Sequence, residues 1–262
     1  MSVQWPLSIL IYHRVTATPD RLFPDQVDAR RFERQLRLLK RWFRLLPLSE
    51  AVRRLGGRRL RPRAACLTLD DGYADNAAVV LPILQRHGVP AAFLIASGYL
   101  DGGCMWNDAV IEVVRNAPGE RLERVRRMVY RFSPTMLSSD QLIALHRADM
   151  EIGARTVSHP ILTSASNAQA RAEIVDCRAR LQKIIHHEVS MFAYPNGKPG
   201  QDFEERHAAM LRAQGFEAAV TTAWGAARPS TDPFYLPRFT PWDRGSAGFL
   251  LRMARNMMTA PA

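Results

Sequence analysis

Two adjacent carboxylates, Asp70 and Asp71, close an apolar run in the stretch CLTLDDGYADN. Side by side at the end of a buried strand, they repel each other unless a cation sits between or beside them. Such a pair can divide its labour, one carboxylate holding a divalent metal while the other acts as general base on metal-held water. A plainer arrangement makes Asp71 a helix N-cap and leaves Asp70 exposed. A second cluster lies in EIGARTVSHP, where His159 follows a short strand. Four residues earlier, where another imidazole would complete a metal-binding pair, stands Arg155.

Strand-length apolar runs recur along the chain and position these groups. Expected strands are Leu7–Tyr12, Ala64–Leu69, Ala91–Ile95, Met150–Gly153, Met191–Tyr194, Ala218–Thr221 and Tyr235–Arg238. Expected helices cover 31–44, 74–87, 107–115, 120–131, 139–148, 167–186, 202–214 and 246–257. Continuous rather than alternating apolar strands, separated by helices, predict an α/β fold with a mostly parallel, helix-covered sheet. No linker divides the chain, so one domain over 1–262, with its core at about 7–257, is expected. Polar groups follow most of the strands: His13, Asp70 and Asp71, Arg155 and His159, Asn196, and then Arg238, Thr240 and Trp242. In parallel α/β folds and barrels these C-terminal ends converge on one face, where sites are built.

The bulk composition narrows the surroundings. No apolar run approaches the ~18 residues of a membrane span. The N-terminal stretch carries no basic leader, which makes a cytoplasmic location the expectation. The three cysteines, Cys66, Cys104 and Cys177, are scattered and suit a reducing compartment. The net charge of +11 is concentrated: residues 30–63 hold 13 Lys/Arg against Glu33 and Glu50, and the rest balances at 23 to 23. This Arg-rich segment is either a solvated helix face or a contact for anionic lipid headgroups or a phosphorylated carrier, peripheral at the inner membrane surface. No aromatic-interleaved basic motif or zinc finger is present, so nucleic acid is not an expected partner.

Taken together, LTLDDGY, EIGARTVSHPIL and FAYPNG resemble the successive motifs of the polysaccharide deacetylase family, also called NodB-homology or carbohydrate esterase family 4, in its FAYP-type branch. ILIYHRV, MWNDAV and YLPRFTPWD add to the resemblance, which spans roughly residues 7 to 257. It implies a distorted (β/α) barrel and a hydrolase that uses a divalent metal, zinc being the first expectation. The reaction implied is removal of an N-acetyl or other N-acyl group from an amino sugar in surface polysaccharide or glycoconjugate biosynthesis; the missing leader and the Arg-rich face make a nucleotide- or lipid-linked sugar the expected substrate.

By that resemblance Asp70 matches the general base, Asp71 the metal-ligating aspartate and His159 the second histidine of the metal triad. Arg155 stands where the first histidine belongs, and a guanidinium has no lone pair to offer a metal. Two ligands then remain where catalytic zinc usually has three. Three arrangements follow. His13 or Asp108 supplies the missing ligand; or Arg155 replaces the metal's charge, pairs with Asp71 and polarises the acyl oxygen; or the site is inactive and retained for sugar binding. Arg238 stands where many relatives carry a histidine proton donor, and with a pKa above about 12 it is a poor acid. His13 is the expected donor where it is not a metal ligand, and Arg238 is counted among the expected substrate contacts. Ala193 stands where many relatives place an arginine against the general base. Tyr194, Asn196, Trp106 and Trp242 complete the expected substrate-binding set.

Overall fold

The protein is described by a computed structural model, which covers residues 5–19, 25–57, 59–103 and 136–259. Expected helices 107–115 and 120–131, with Cys104, Trp106 and Asp108, lie outside the described residues. Among the described residues, seven parallel strands form one curled sheet: β1 (Leu7–Tyr12), β2 (Arg44–Leu45), β3 (Ala64–Asp71), β4 (Ala92–Ile95), β5 (Glu151–Ala154), β6 (Met191–Ala193) and β7 (Ala218–Val220). The order is β1-β3-β4-β5-β6-β7. β2 pairs with the start of β3, and β4 with its end. Among the described residues the helices are α1 (Ala29–Trp42), α2 (Leu48–Gly56), α3 (Leu81–His87), α4 (Ser139–Arg147), α5 (Asn167–Ile185), α6 (Glu205–Ala213) and α7 (Ser246–Met258).

Why the strands read as unbroken apolar runs is visible in how each is covered on both faces. Leu10, Tyr12, Leu67, Leu69, Phe93, Ile95 and Phe192 pack outward in a core with helix residues such as Phe32, Leu36, Leu142, Ile174 and Leu211. The alternate residues Leu7, Ile9, Ala64, Cys66, Ala92, Leu94, Met191, Ala193, Ala218 and Val220 fill the inside of the curl, together with Leu48, Ala51 and Leu55 of α2. Half of these strand residues are alanine or cysteine, which suits a narrow lumen. Gly153 of β5 shows the limit: an added Cβ would stand 2.4 Å from Leu94 Cδ2 and 2.9 Å from the Met191 carbonyl oxygen.

Two expectations are revised. The expected strand Tyr235–Arg238 is instead a short 3-10 turn, Pro233–Tyr235, followed by an irregular stave. Pro237 interrupts the hydrogen-bond ladder, yet the stave still bridges the sheet's two edges. Leu236 pairs with Val220 of β7, and Phe239 with Leu10 of β1. The expected helix 74–87 begins as a π turn, Asn76–Val80, before α3. Pro82 lacks the N–H that an α-helix would direct to Ala78.

Gly153→Ala is expected to lower unfolding stability by about 1–3 kcal/mol through overpacking. Chemical denaturation is the measurement; a variant as stable as the parent would show that the lumen has slack.

Candidate active site

Strand parity carries the site inward. Thr68 and Asp70 continue the lumen-facing series of β3 begun by Ala64 and Cys66, and Arg155 continues that of β5 through Gly153. Asp70 is fully buried and Asp71 nearly so, so neither is an exposed or helix-capping carboxylate. Asp71 breaks the strand's geometry at φ 76°, ahead of Gly72 at φ 90°. His159 also takes a left-handed conformation, φ 57°. Its loop is tied down by Glu173 of α5, whose carboxylate accepts from Val157 N, Ser158 N and Ser158 Oγ at 2.8, 2.8 and 2.6 Å. His159 N in turn donates to Thr156 Oγ1 at 3.1 Å.

The two acids are joined by one guanidinium. Arg155 Nη1 lies 2.5 Å from Asp70 Oδ2, and Arg155 Nε lies 2.7 Å from Asp71 Oδ1. The second contact is a close ion pair rather than an aligned hydrogen bond. Nη1 also donates to the Tyr194 carbonyl at 3.2 Å.

Arg238 forms a bidentate pair with Asp70 at 2.7 and 2.8 Å, while its Nε donates to the Thr221 carbonyl and its Nη1 to Thr68 Oγ1. Burial alone would raise the Asp70 carboxyl, but Arg155 and Arg238 outweigh it and hold the group well below the usual carboxylate range. Burial, reinforced by the nearby Arg155 charge, lowers His159 to about 4, so the imidazole is neutral near pH 7.

The geometry corrects three expectations. Arg238 is not a substrate contact, because it is fully buried with its donors spent on Asp70, Thr68 and Thr221. It supplies from the closing stave the guanidinium that Ala193 cannot. Tyr194 does not face an acyl group either. Its ring is fully buried and stacked on Phe203 at 3.5 Å between centroids, and its amide donates to the Val220 carbonyl.

The third correction concerns the divalent metal. Asp71 Oδ1 and His159 Nε2 lie 3.5 Å apart, both buried and without hydrogen bonds. That is close to the edge spanned by two ligands of a tetrahedral ion at about 2.1 Å from each. A fixed guanidinium 2.7 Å from the same Asp71 oxygen puts a cation where a third donor is required. The donors among the described residues therefore do not fit a metal ion. Among the described residues, no three His, Cys, Asp or Glu side chains gather as a metal site.

His13 and Trp242 line a cavity of about 490 Å³ with Arg14, Asp25, Gln26 and Thr240. The His13 loop is anchored below: its carbonyl accepts from Asn76 Nδ2 at 3.0 Å, and Arg14 pairs with Asp75 at 3.1 Å. The Trp242 indole is exposed. Asn196 sits exposed in the turn after β6 at φ 54°, its carbonyl accepting from Thr222 Oγ1. Sequence reasoning missed Asp75 and Glu173, which order the loops carrying His13 and His159. The GYADN stretch after the acids was the only signal for the first, and nothing in local spacing marked the second.

Residues 57–219 match a family model described as polysaccharide deacetylase. Among curated proteins, the chain is similar to Bacillus subtilis YxkH, which is named a polysaccharide deacetylase. The two are 21% identical over 245 residues, which is 92% of this chain and 74% of that one. Among solved structures, it is similar to the Streptococcus pyogenes deacetylase PplD in complex with acetate. That match has a TM-score of 0.75 and 21% identity, covering 97% of this chain and 99% of that one. IcaB from Ammonifex degensii matches with a TM-score of 0.75 and 20% identity, at 97% coverage of both chains. The curled parallel sheet is the fold these structures share.

Removing one partner from a buried ion pair leaves an uncompensated charge, so Arg238→Leu should cost about 3–5 kcal/mol. Adding Asp70→Leu should recover most of that loss. Urea unfolding of both variants is the check, and additive losses would show that Arg238 does not serve to neutralise Asp70.

Proposed function

Because the chain belongs to the polysaccharide deacetylase family, we propose that its barrel mouth binds an N-acylated amino sugar of a polysaccharide or of its carrier-linked precursor, and that Arg155 has exchanged metal-dependent hydrolysis for recognition. The observation that carries this reading is the Arg155 guanidinium held between Asp70 and Asp71 at 2.5 and 2.7 Å. A general base works best with a pKa near the operating pH. Asp70, buried and clamped by two guanidiniums, is held far from that range. The nucleophile-generating half of the reaction is thereby silenced.

Groups suited to recognition remain at the mouth. His13, Arg14 and Gln26 offer polar groups to sugar hydroxyls or an acyl carbonyl, and the exposed Trp242 indole beside them offers a face for a pyranose ring.

A second reading has its own support. Arg155 is a permanent cation in a water-poor site, and such a group can stabilise negative charge developing on an acyl oxygen. Hydrolysis would then run without metal: water would add to the acyl carbon and give its proton to Asp70, and His13 would protonate the amine as the C–N bond breaks.

The two readings separate in one experiment. The unaltered protein should bind N-acetylated glucosamine oligosaccharides in calorimetry, take up no stoichiometric zinc and release no acetate. Arg155→His should place a third donor beside Asp71 and His159, bind one zinc per chain by elemental analysis, and release acetate where the unaltered protein releases none. Acetate release by the unaltered, chelator-treated protein, abolished by Arg155→His, would establish the second reading. Stoichiometric zinc in the unaltered protein would defeat both.

A further inference from the structure

The end of the barrel opposite the site carries a patch that glycan chemistry does not use. The segments entering β1, β2 and β3 lie side by side there: Leu7 pairs with Ala64, Arg44 pairs with Ala64 from the other edge, and Arg44 N donates to the Arg63 carbonyl. Adjacent strands are about 5 Å apart, so residues 5–6, 41–44 and 59–63 form one surface. Arg41, Arg44, Arg59, Arg61 and Arg63 are exposed on it, and none is paired with an acid among the described residues.

Large apolar side chains stand among these cations. Trp5 is 40% exposed and Trp42 is 44% exposed, with the Arg41 guanidinium 5.6 Å from the Trp42 ring centroid. Met258, 75% exposed, ends α7 at the same level: Thr259 accepts from Ala226, next to Ala227, which pairs with Leu7. Charge alone would suit any polyanion. Two tryptophans and a methionine left in water beside unpaired arginines suit an interface that takes apolar groups and anions together.

From this we infer that the N-terminal end of the barrel docks peripherally on a bilayer surface rich in anionic phospholipid. The acids at this end are gathered under different strands, and Asp149, Glu188 and Glu217 are exposed there. Asp149, Glu151, Glu188 and Glu217 line a cavity under β5–β7, where Glu151 accepts from Ser49 N and Glu188 pairs with Arg178. The contact is superficial, since among the described residues no helix is long and apolar enough to cross a membrane. Docked this way, the mouth stands roughly 15–20 Å above the lipid, the rise of a six-residue strand at about 3.3 Å per residue. That reach fits sugars some way along a chain rather than the one next to the membrane.

Vesicle cosedimentation of the full chain tests the assignment. Binding is expected to phosphatidylcholine vesicles containing phosphatidylglycerol and not to phosphatidylcholine alone, and raising salt from about 0.1 to about 0.5 M should weaken it. Replacing Arg59, Arg61 and Arg63 by serine together should weaken it on the order of 100-fold. Trp42→Ser should weaken it further and reduce the fluorescence blue shift on binding, while glycan binding at the mouth is unchanged by either set of substitutions. Equal binding to both vesicle types, absence of binding to either, or retention on heparin without vesicle binding would each overturn the inference, the last in favour of a soluble polyanion.

Discussion

Two carboxylates placed side by side in a narrow, dry lumen cannot both remain ionised without a cation, and the rest of this molecule is arranged around how that demand is met. In Arg155 the counter-charge is part of the chain: one guanidinium touches both Asp70 and Asp71. A bound metal would satisfy the same electrostatic demand while keeping an open coordination position for water. A guanidinium neutralises the acids equally well but has no lone pair to accept and no vacant position to offer. On the reading proposed above, the same interaction that secures the buried charges removes the means of activating water.

Arg238 extends this constraint. By gripping Asp70 with both terminal nitrogens and the Thr221 carbonyl with Nε, it ties the closing stave to β3 and β7 across the lumen. An irregular segment interrupted by Pro237 thus becomes a fixed wall. Around the rim, Asp75 and Glu173 do for the His13 and His159 loops what Arg238 does for the stave. Rigid loop attachment is what keeps polar groups poised at the mouth while the helices outside exclude water from the sheet.

The two ends of the barrel have diverged in chemistry because they have different structural duties. At the C-terminal end, polar side chains converge on the lumen. At the N-terminal end, α2 plugs the barrel with Leu48, Ala51 and Leu55. The chain around that plug is free to carry unpaired arginines and exposed tryptophans.

The parallel sheet was legible in the sequence because its strands are buried on both faces and so are written as unbroken apolar runs. The acids, Arg155 and His159 were legible because each follows such a run at the end where sites form. The two-residue β2 was not, since it is too short to show any period, and α2 was hidden inside a segment dominated by its charge. Arg238 was readable as a site residue but not in its role: only the closure of the sheet brings a side chain so distant in sequence onto Asp70. The same holds for Tyr194, whose neighbour Phe203 claims its ring. Residue type and spacing determined which groups reach the mouth of the barrel and which ligand is missing. Tertiary structure alone decided how those charges pair, because pairing depends on distances across the lumen that no local pattern encodes.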